Sequence, residues 1–161
     1  AMTLEVIVGD LGDEVHATAL KSLLAEYALD PMGGAAALAP ELLESLPGKL
    51  SSRTDYLFVL AVADGQYVGL VNCFEGFSTF KGKPLINIHD VIVSRRWRGQ
   101  GIARQMLTQV EDIARQRGCC KLTLEVLEGN KAAQRSYRGL GFEGYQLVPE
   151  MGRAMFWEKP L

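Results

Sequence analysis

The sequence predicts an α+β (mixed α/β) domain, with a central, mostly antiparallel twisted sheet of about six or seven strands, one parallel pair and about four flanking helices. Three observations carry that prediction. Residues 56–62 and 66–74 are apolar, β-prone runs joined through Asp64-Gly65, the strongest short hairpin signal in the chain. A strand at 84–93, an amphipathic stretch from Ile102 to Ala114 and an alternating strand at 121–126 follow in succession, and strand–helix–strand makes a parallel pair by the right-handed crossover rule. The order β, αα, βββ, α, β, α, ββ sets antiparallel strands ahead of that crossover, unlike a chain that opens on a βαβ unit.

Each element has a local reason. Leu4–Val8 alternates weakly and reads as a first strand. Residues 9–13 form a turn able to cap the helix at 14–29, where Val15, Leu20, Leu23, Leu24 and Tyr27 keep near-helical spacing. Pro31 ends that helix, and residues 33–37 are a small-residue loop. Pro40 sits where a first helical turn tolerates it, ahead of Leu42, Leu43 and Leu46. Residues 77–83 read as a polar and aromatic connection. Ile102, Met106, Leu107, Val110, Ile113 and Ala114 trace one helical face, Arg115 and Arg117 suit the negative end of its dipole, and Gly118 stops it. A turn at 128–130, a short helix at 131–140 stopped by Gly141, and closing strands at 142–148 and 154–159 complete the chain.

The 161 residues suit one domain, residues 2–161, with a single core, and Ala1 ahead of Met2 reads as an expression remnant. Hydrophobic residues at 48% and charged residues at 22% fit an ordinary globular chain, while no apolar run reaches membrane-spanning length and no signal-peptide pattern opens it; no membrane partner is expected. A net charge of -2 argues against a nucleic-acid partner. Cys73, Cys119 and Cys120 are an odd set without metal-ligand spacing, which points to a reducing, cytoplasmic location and no metal.

The chemistry gathers where the β-branched run Val91-Ile92-Val93 meets Ser94-Arg95-Arg96-Trp97-Arg98-Gly99-Gln100-Gly101-Ile102-Ala103-Arg104. A strand ending in a basic, glycine-punctuated turn that opens a helix offers unpaired N–H donors and the positive end of a dipole to a phosphate. Gly99 and Gly101 let an anion approach the main chain, and Arg95, Arg96 and Arg98 add positive charge. A dinucleotide fingerprint would need Gly or Ala where Arg104 stands, and a P-loop would need Gly-Lys-Ser/Thr, which is missing. An ordinary surface turn before a helix satisfies the same residues. The remaining match is Arg/Gln-x-x-Gly-x-Gly/Ala, met by Arg96-Trp97-Arg98-Gly99-Gln100-Gly101, which resembles the acyl-CoA loop of the GNAT superfamily of N-acetyltransferases.

A second constellation extends that resemblance. Asn130, Ala133, Tyr137, Gly141 and Phe142 fit N-x-x-A-x-x-x-Y-x-x-x-G-F, and Asn130 and Tyr137 lie two helical turns apart on one face. On their own, these residues also read as an N-cap and a core aromatic with a wet hydroxyl. The pair of motifs, spanning residues 84–142, is similar to the two halves of a GNAT acetyl-CoA site. The resemblance implies that the amides from Arg98 through Gly99, Gln100, Gly101 and Ile102 to Ala103 hold the CoA pyrophosphate, with Arg96 opening the motif. It implies a strand, Val91-Ile92-Val93, that splays from its neighbour and hydrogen-bonds the pantetheine through Val91 and Val93. Asn130, followed by Ala133, would support that arm, and Tyr137 would protonate the departing thiolate.

Upstream, Phe77-Ser78-Thr79-Phe80-Lys81-Gly82-Lys83-Pro84 and Ile88-His89-Asp90-Val91 resemble the diamine and polyamine acetyltransferases, which carry Glu-Asp where this chain has His89-Asp90. His89, with an ordinary pKa near ~6.5, can serve as base toward an amine or sit as a satisfied sheet histidine. Alternation sends Asp90 to the other face unless a bulge rotates it. The expected reaction is direct acetyl transfer from acetyl-CoA, as co-substrate, to a small-molecule primary amine. Acetylation of a protein amine and a non-catalytic acyl-CoA-binding module use the same cofactor motifs. A homodimer follows from the resemblance alone.

Overall fold

The computed structural model describes residues 2–144 and 148–161. Two compact units emerge, Ala1–Glu125 and Val126–Leu161. The first holds the sheet: β1 Leu4–Val8, β2 Tyr56–Ala63, β3 Gln66–Ser78, β4 Lys83–Val93 and β5 Leu122–Leu124, in the order β1-β2-β3-β4-β5. The first four strands pair antiparallel, and β5 pairs parallel with β4, the crossover that the strand–helix–strand pattern predicts. Asp64 and Gly65 both take positive φ, 50° and 78°, the conformation a two-residue hairpin turn demands.

Helices α1 Glu14–Ala28 and α2 Pro40–Ser51 cover one face of this sheet, and α3 Ile102–Gln116 packs on the sheet's strands as well. Asp13 caps α1 by accepting from the Val15 N–H at 2.9 Å. Leu20, Leu23 and Leu50 meet Phe58, Leu60, Leu70 and Ile92 in one apolar cluster. Each such fully buried side chain contributes roughly 1.5–3 kcal/mol. On α3, Ile102, Met106, Leu107, Val110 and Ala114 are buried. Gly69 of β3 lies under Met106, and a Cβ there would stand 2.8 Å from the Met106 methyl, so a larger residue would have to displace the end of the Met106 side chain.

Two expectations need correction. Part of the anticipated connection at 77–83 is strand: Phe77 faces Pro84 and Ser78 faces Lys83, leaving a tight turn closed by the Gly82 N–H on Ser78 O at 2.8 Å. The described residues hold five strands rather than six or seven. Of the anticipated strand at 142–148, residues 145–147 lie outside the described set, and Phe142–Gly144 is irregular. Residues 154–159 carry no strand, with Met155, Phe156 and Trp157 exposed. Local composition can suit a strand, but only a partner main chain makes a ladder. The second unit contains α4 Lys131–Gly139 and a short 3-10 turn at Pro149–Met151.

Candidate active site

The site begins with an irregularity in β4. Val91 faces Val71 and Asp90 faces Asn72, but Ile88 faces Cys73, so His89 is an extra residue with no partner on β3. This is a β-bulge, and it resets the alternation of the strand. Ile88 shares the face of Cys73, whereas Asp90 and Ile92 share the opposite face, toward α1 and α2. Regular alternation would separate His89 from Asp90; the bulge brings both to the α1/α2 side. The His89 ring stands edge-on to Phe74, centroids 5.4 Å apart at 85°, and is exposed. The Asp90 carboxylate accepts from Asn72 Nδ2 at 3.1 Å, and Asn72 Oδ1 accepts from the Tyr56 hydroxyl at 2.6 Å. Tyr27, at the end of α1, has its phenol raised above the usual tyrosine range by burial and then by the charges of Asp90 and Asp30.

The bulge also marks where β4 and β5 part. Their parallel pairing covers only Ile86–Ile88 against Leu122–Leu124, and β4 continues through Val93 without a β5 partner among the described residues. The Val91–Val93 segment therefore has one main-chain edge on β3 and, among the described residues, no strand on the other.

Beyond β4 the chain makes a 3-10 turn, Arg95–Trp97, and extends at Arg98. Gly99 and Gly101 both sit at φ 78°, where a side chain is strained, and a Cβ built on either would meet nothing within 4 Å. Gly101 caps α3, and the first helical bond runs from the Gln105 N–H to Gly101 O at 3.2 Å. The N–H groups of Ile102, Ala103 and Arg104 therefore precede the first in-helix donor and have no acceptor within the helix. Open space above two glycines, three leading amides and the positive end of a 15-residue helix suit a diphosphate.

This loop is fastened to the end of α1. Glu26 accepts from the Ser94 hydroxyl at 2.8 Å and from the Arg95 N–H at 3.2 Å. Asp30 faces the Arg98 guanidinium at 3.1 Å and that of Arg95 at 3.9 Å. The Met32 N–H foremost, then Arg98, holds the Asp30 carboxyl below the usual carboxylate range. Arg98 also donates from Nε to Val93 O at 3.0 Å, so its side chain ties loop, strand and α1 together, while Arg96 is exposed.

In the second unit, Asn130 caps α4: its Oδ1 accepts from the Ala133 N–H at 3.2 Å, as one of its sequence readings anticipates. Gln134 Nε2 donates to Leu127 O and Glu128 O, at 2.9 and 2.6 Å, and locks the preceding turn. The half-buried Tyr137 ring lies edge-on to Phe142 at 6.0 Å. Sequence reasoning missed Tyr56, Asn72, Glu26 and Asp30. The available signal was Asn72, a residue type depleted from strands, set inside the apolar run of β3.

Residues 18–142 match the family described as Acetyltransferase (GNAT) family. Among curated proteins, the chain is 38% identical over 94 residues to the thialysine N-epsilon-acetyltransferase of Bos taurus, covering 55% of each. It is 37% identical over 91 residues to the streptothricin acetyltransferase of Streptomyces lavendulae, covering 56% of this chain and 44% of that protein. The match thus spans about half the length of these relatives. Among solved structures, a probable acetyltransferase superposes with a TM-score of 0.81 at 21% identity, covering 98% of this chain and 97% of that one. An aminoglycoside N-acetyltransferase in complex with CoA superposes with a TM-score of 0.72 at 16% identity, covering 100% and 97%. The two structures share the fold; with the family match extending from within α1 through the glycine turn to Phe142, the chain belongs to the GNAT acetyltransferase family.

Proposed function

We propose that the protein transfers the acetyl group of acetyl-CoA to a primary amine of a small molecule, by direct attack within a ternary complex. The observation that carries this reading is the β4 end: a strand that leaves its parallel partner at a bulge and runs into a turn with two left-handed glycines at the start of α3. The amides from Arg98 to Ala103, by way of Gly99, Gln100, Gly101 and Ile102, bind the diphosphate, with Arg96 beside them. Val91, Ile92 and Val93 present the main-chain edge for the pantetheine, and Asn130 and Ala133 support it. Relatives named for thialysine and streptothricin favour a small cationic acceptor.

An alkylammonium with a pKa near ~10 must lose a proton before it attacks. His89, with Asp90 beside it at the bulge, receives that proton, directly or through water. The nitrogen lone pair then forms the C–N bond at the thioester carbonyl, and an N–H near Val91 stabilises the oxyanion. The C–S bond breaks, and Tyr137 supplies the proton that the thiolate takes up. No protein nucleophile is needed. In this reading residues 2–161 act as one catalytic domain, a homodimer is the expected assembly, and three free thiols suit a cytoplasmic setting.

The test is release of free CoA thiol on adding diamines, lysine-like amino acids, aminoglycosides or short peptides. Acceptor-dependent release with a small amine is expected. Release with peptides alone would move the acceptor to proteins, and tight CoA binding with no release would make the chain a binding module. Tyr137→Phe should lower kcat by roughly 10²-fold, the lower range for a general acid, while leaving acetyl-CoA affinity nearly unchanged. Unchanged turnover would make Tyr137 structural.

A further inference from the structure

We propose that Tyr56 and Asn72 are positioning residues, which hold the Asp90 carboxylate at the β4 bulge as the group that receives the acceptor's ammonium. The inference rests on the acetyltransferase reading above and adds two residues to it. Its starting point is the oddity of Asn72. Among the described residues it is the buried polar one, 4% exposed, between Val71 and Cys73 in the middle of β3. An apolar residue would fill that place without desolvating an amide, so the amide needs a use beyond packing.

The two ends of the amide do different work. Oδ1 accepts from the Tyr56 hydroxyl and Nδ2 donates to Asp90 Oδ2. Tyr56 stacks on Phe58 at 5.5 Å and tilts against Phe74 at 5.4 Å, and burial among these rings keeps its phenol protonated, far above the usual range. The Asp90 carboxylate offers acceptors, so the NH₂ faces it and the carbonyl oxygen faces Tyr56, whose hydroxyl donates there and holds the amide in place. The opposite orientation would set a carbonyl oxygen against a carboxylate. Tyr56 thus braces Asn72, and Asn72 in turn holds the Asp90 carboxylate in place.

The surroundings of Asp90 suit a cation. The exposed imidazole of His89 is its chain neighbour. The Phe74 ring carries the Arg53 guanidinium 5.5 Å from its centroid, so this aromatic surface already attracts one cation. Asp55 holds that guanidinium by two bonds of 2.9 Å, which leaves Asp90 as the carboxylate without such an ion pair at the bulge among the described residues. The ligand class is a primary alkylammonium, drawn to Asp90 and delivered beside His89.

Steady-state kinetics with the best small amine test the chain of action. Tyr56→Phe removes one hydroxyl and keeps the stacked ring, so the fold should survive even where Asn72→Ala destabilises it. We expect Tyr56→Phe to raise the amine KM roughly three- to tenfold, the span of one hydrogen bond, with the acetyl-CoA KM unchanged. The deciding measurement is the double variant. If Tyr56 acts through Asp90, Tyr56→Phe has no further effect on the amine KM in an Asp90→Asn background. Additive effects, or equal changes in both KM values, would overturn the proposal. An amine KM that Asp90→Asn leaves unaltered would overturn it too, while thiol release in wild type would show that the acetyltransferase reading stands.

Discussion

Across one sheet, two faces are built on opposite terms. The face toward α3 is closed by apolar groups: Met106, Leu107 and Val110 of the helix are buried, and Gly69 lets Met106 approach the strand. The face toward α1 and α2 starts the same way, with Leu20, Leu23, Leu60, Leu70 and Ile92, but at the level of the bulge it turns polar, carrying Tyr56, Asn72 and Asp90. A single extra residue, His89, moves β4 between these regimes, because Ile88 serves one face and Asp90 the other. The comparison teaches that the fold's stability and the site's chemistry are separable along one strand, and each face should respond to a different kind of damage.

The largest expected effect is on the closed face. Met106 is fully buried, and Met106→Ala should cost about 2–5 kcal/mol of unfolding free energy, read from urea denaturation. A loss within a few tenths of a kcal/mol would mean that α3 is not packed on Gly69 and its neighbours as described.

Deleting His89 breaks the comparison from the other side. Without it, Cys73 still faces Ile88 and Asn72 still faces Asp90, now as successive pairs of a regular ladder, so both faces keep their residues. The variant should fold, yet lose roughly 10²-fold in turnover, since misplacement of reacting groups by about 1 Å costs that much. His89→Ala keeps the bulge and removes only the imidazole. Equal losses would assign the effect to the imidazole, and a loss confined to the deletion would assign it to the bulge.

The legibility of the sequence follows the same division. Helices and hairpins declare themselves in local terms, so α1, α2, α3, α4 and the Asp64-Gly65 turn stand where spacing, caps and glycines place them. The Gly99 and Gly101 turn is legible for the same reason. The bulge is not, because it is a property of two strands, and neither Asn72 nor His89 alone discloses that the register slips between them. The Asp30 and Glu26 ties to the loop were hidden likewise, since they join residues separated by more than sixty positions. The expected strands at 142–148 and 154–159 rest on the local sequence alone, which says nothing about a partner.

Asp30→Asn should act more weakly. Asparagine can keep the bond to the Met32 N–H but loses the attraction for Arg98 and Arg95. A carboxyl held below its ordinary value lends stability that is present above that value, near ~3.9, and is lost as the pH falls through the folded one. Wild type should therefore melt slightly above the variant at pH 7, and the two should converge at acid pH. High salt should shrink the gap at pH 7. A gap that widens toward acid would reverse the sign assigned to Asp30.

The smallest effect concerns a thiol on the closed face. Cys73 is fully buried opposite Ile88, and burial foremost pushes its thiol up to about 12. Only the thiolate reacts with a disulfide reagent, so at pH 8 about one Cys73 in ten thousand would be reactive even with free access. Cys119 and Cys120 are half-buried, and burial together with the Glu75 charge raises Cys119 as well. Titration of the native protein with such a reagent should therefore reach Cys119 and Cys120 at most, and Cys73 should react only in denaturant. Because burial silences Cys73 while a hydrogen-bonded network holds the half-buried Asp90 one strand away, rapid labelling of Cys73 under native conditions would erase the distinction between the two faces at the point where the bulge separates them.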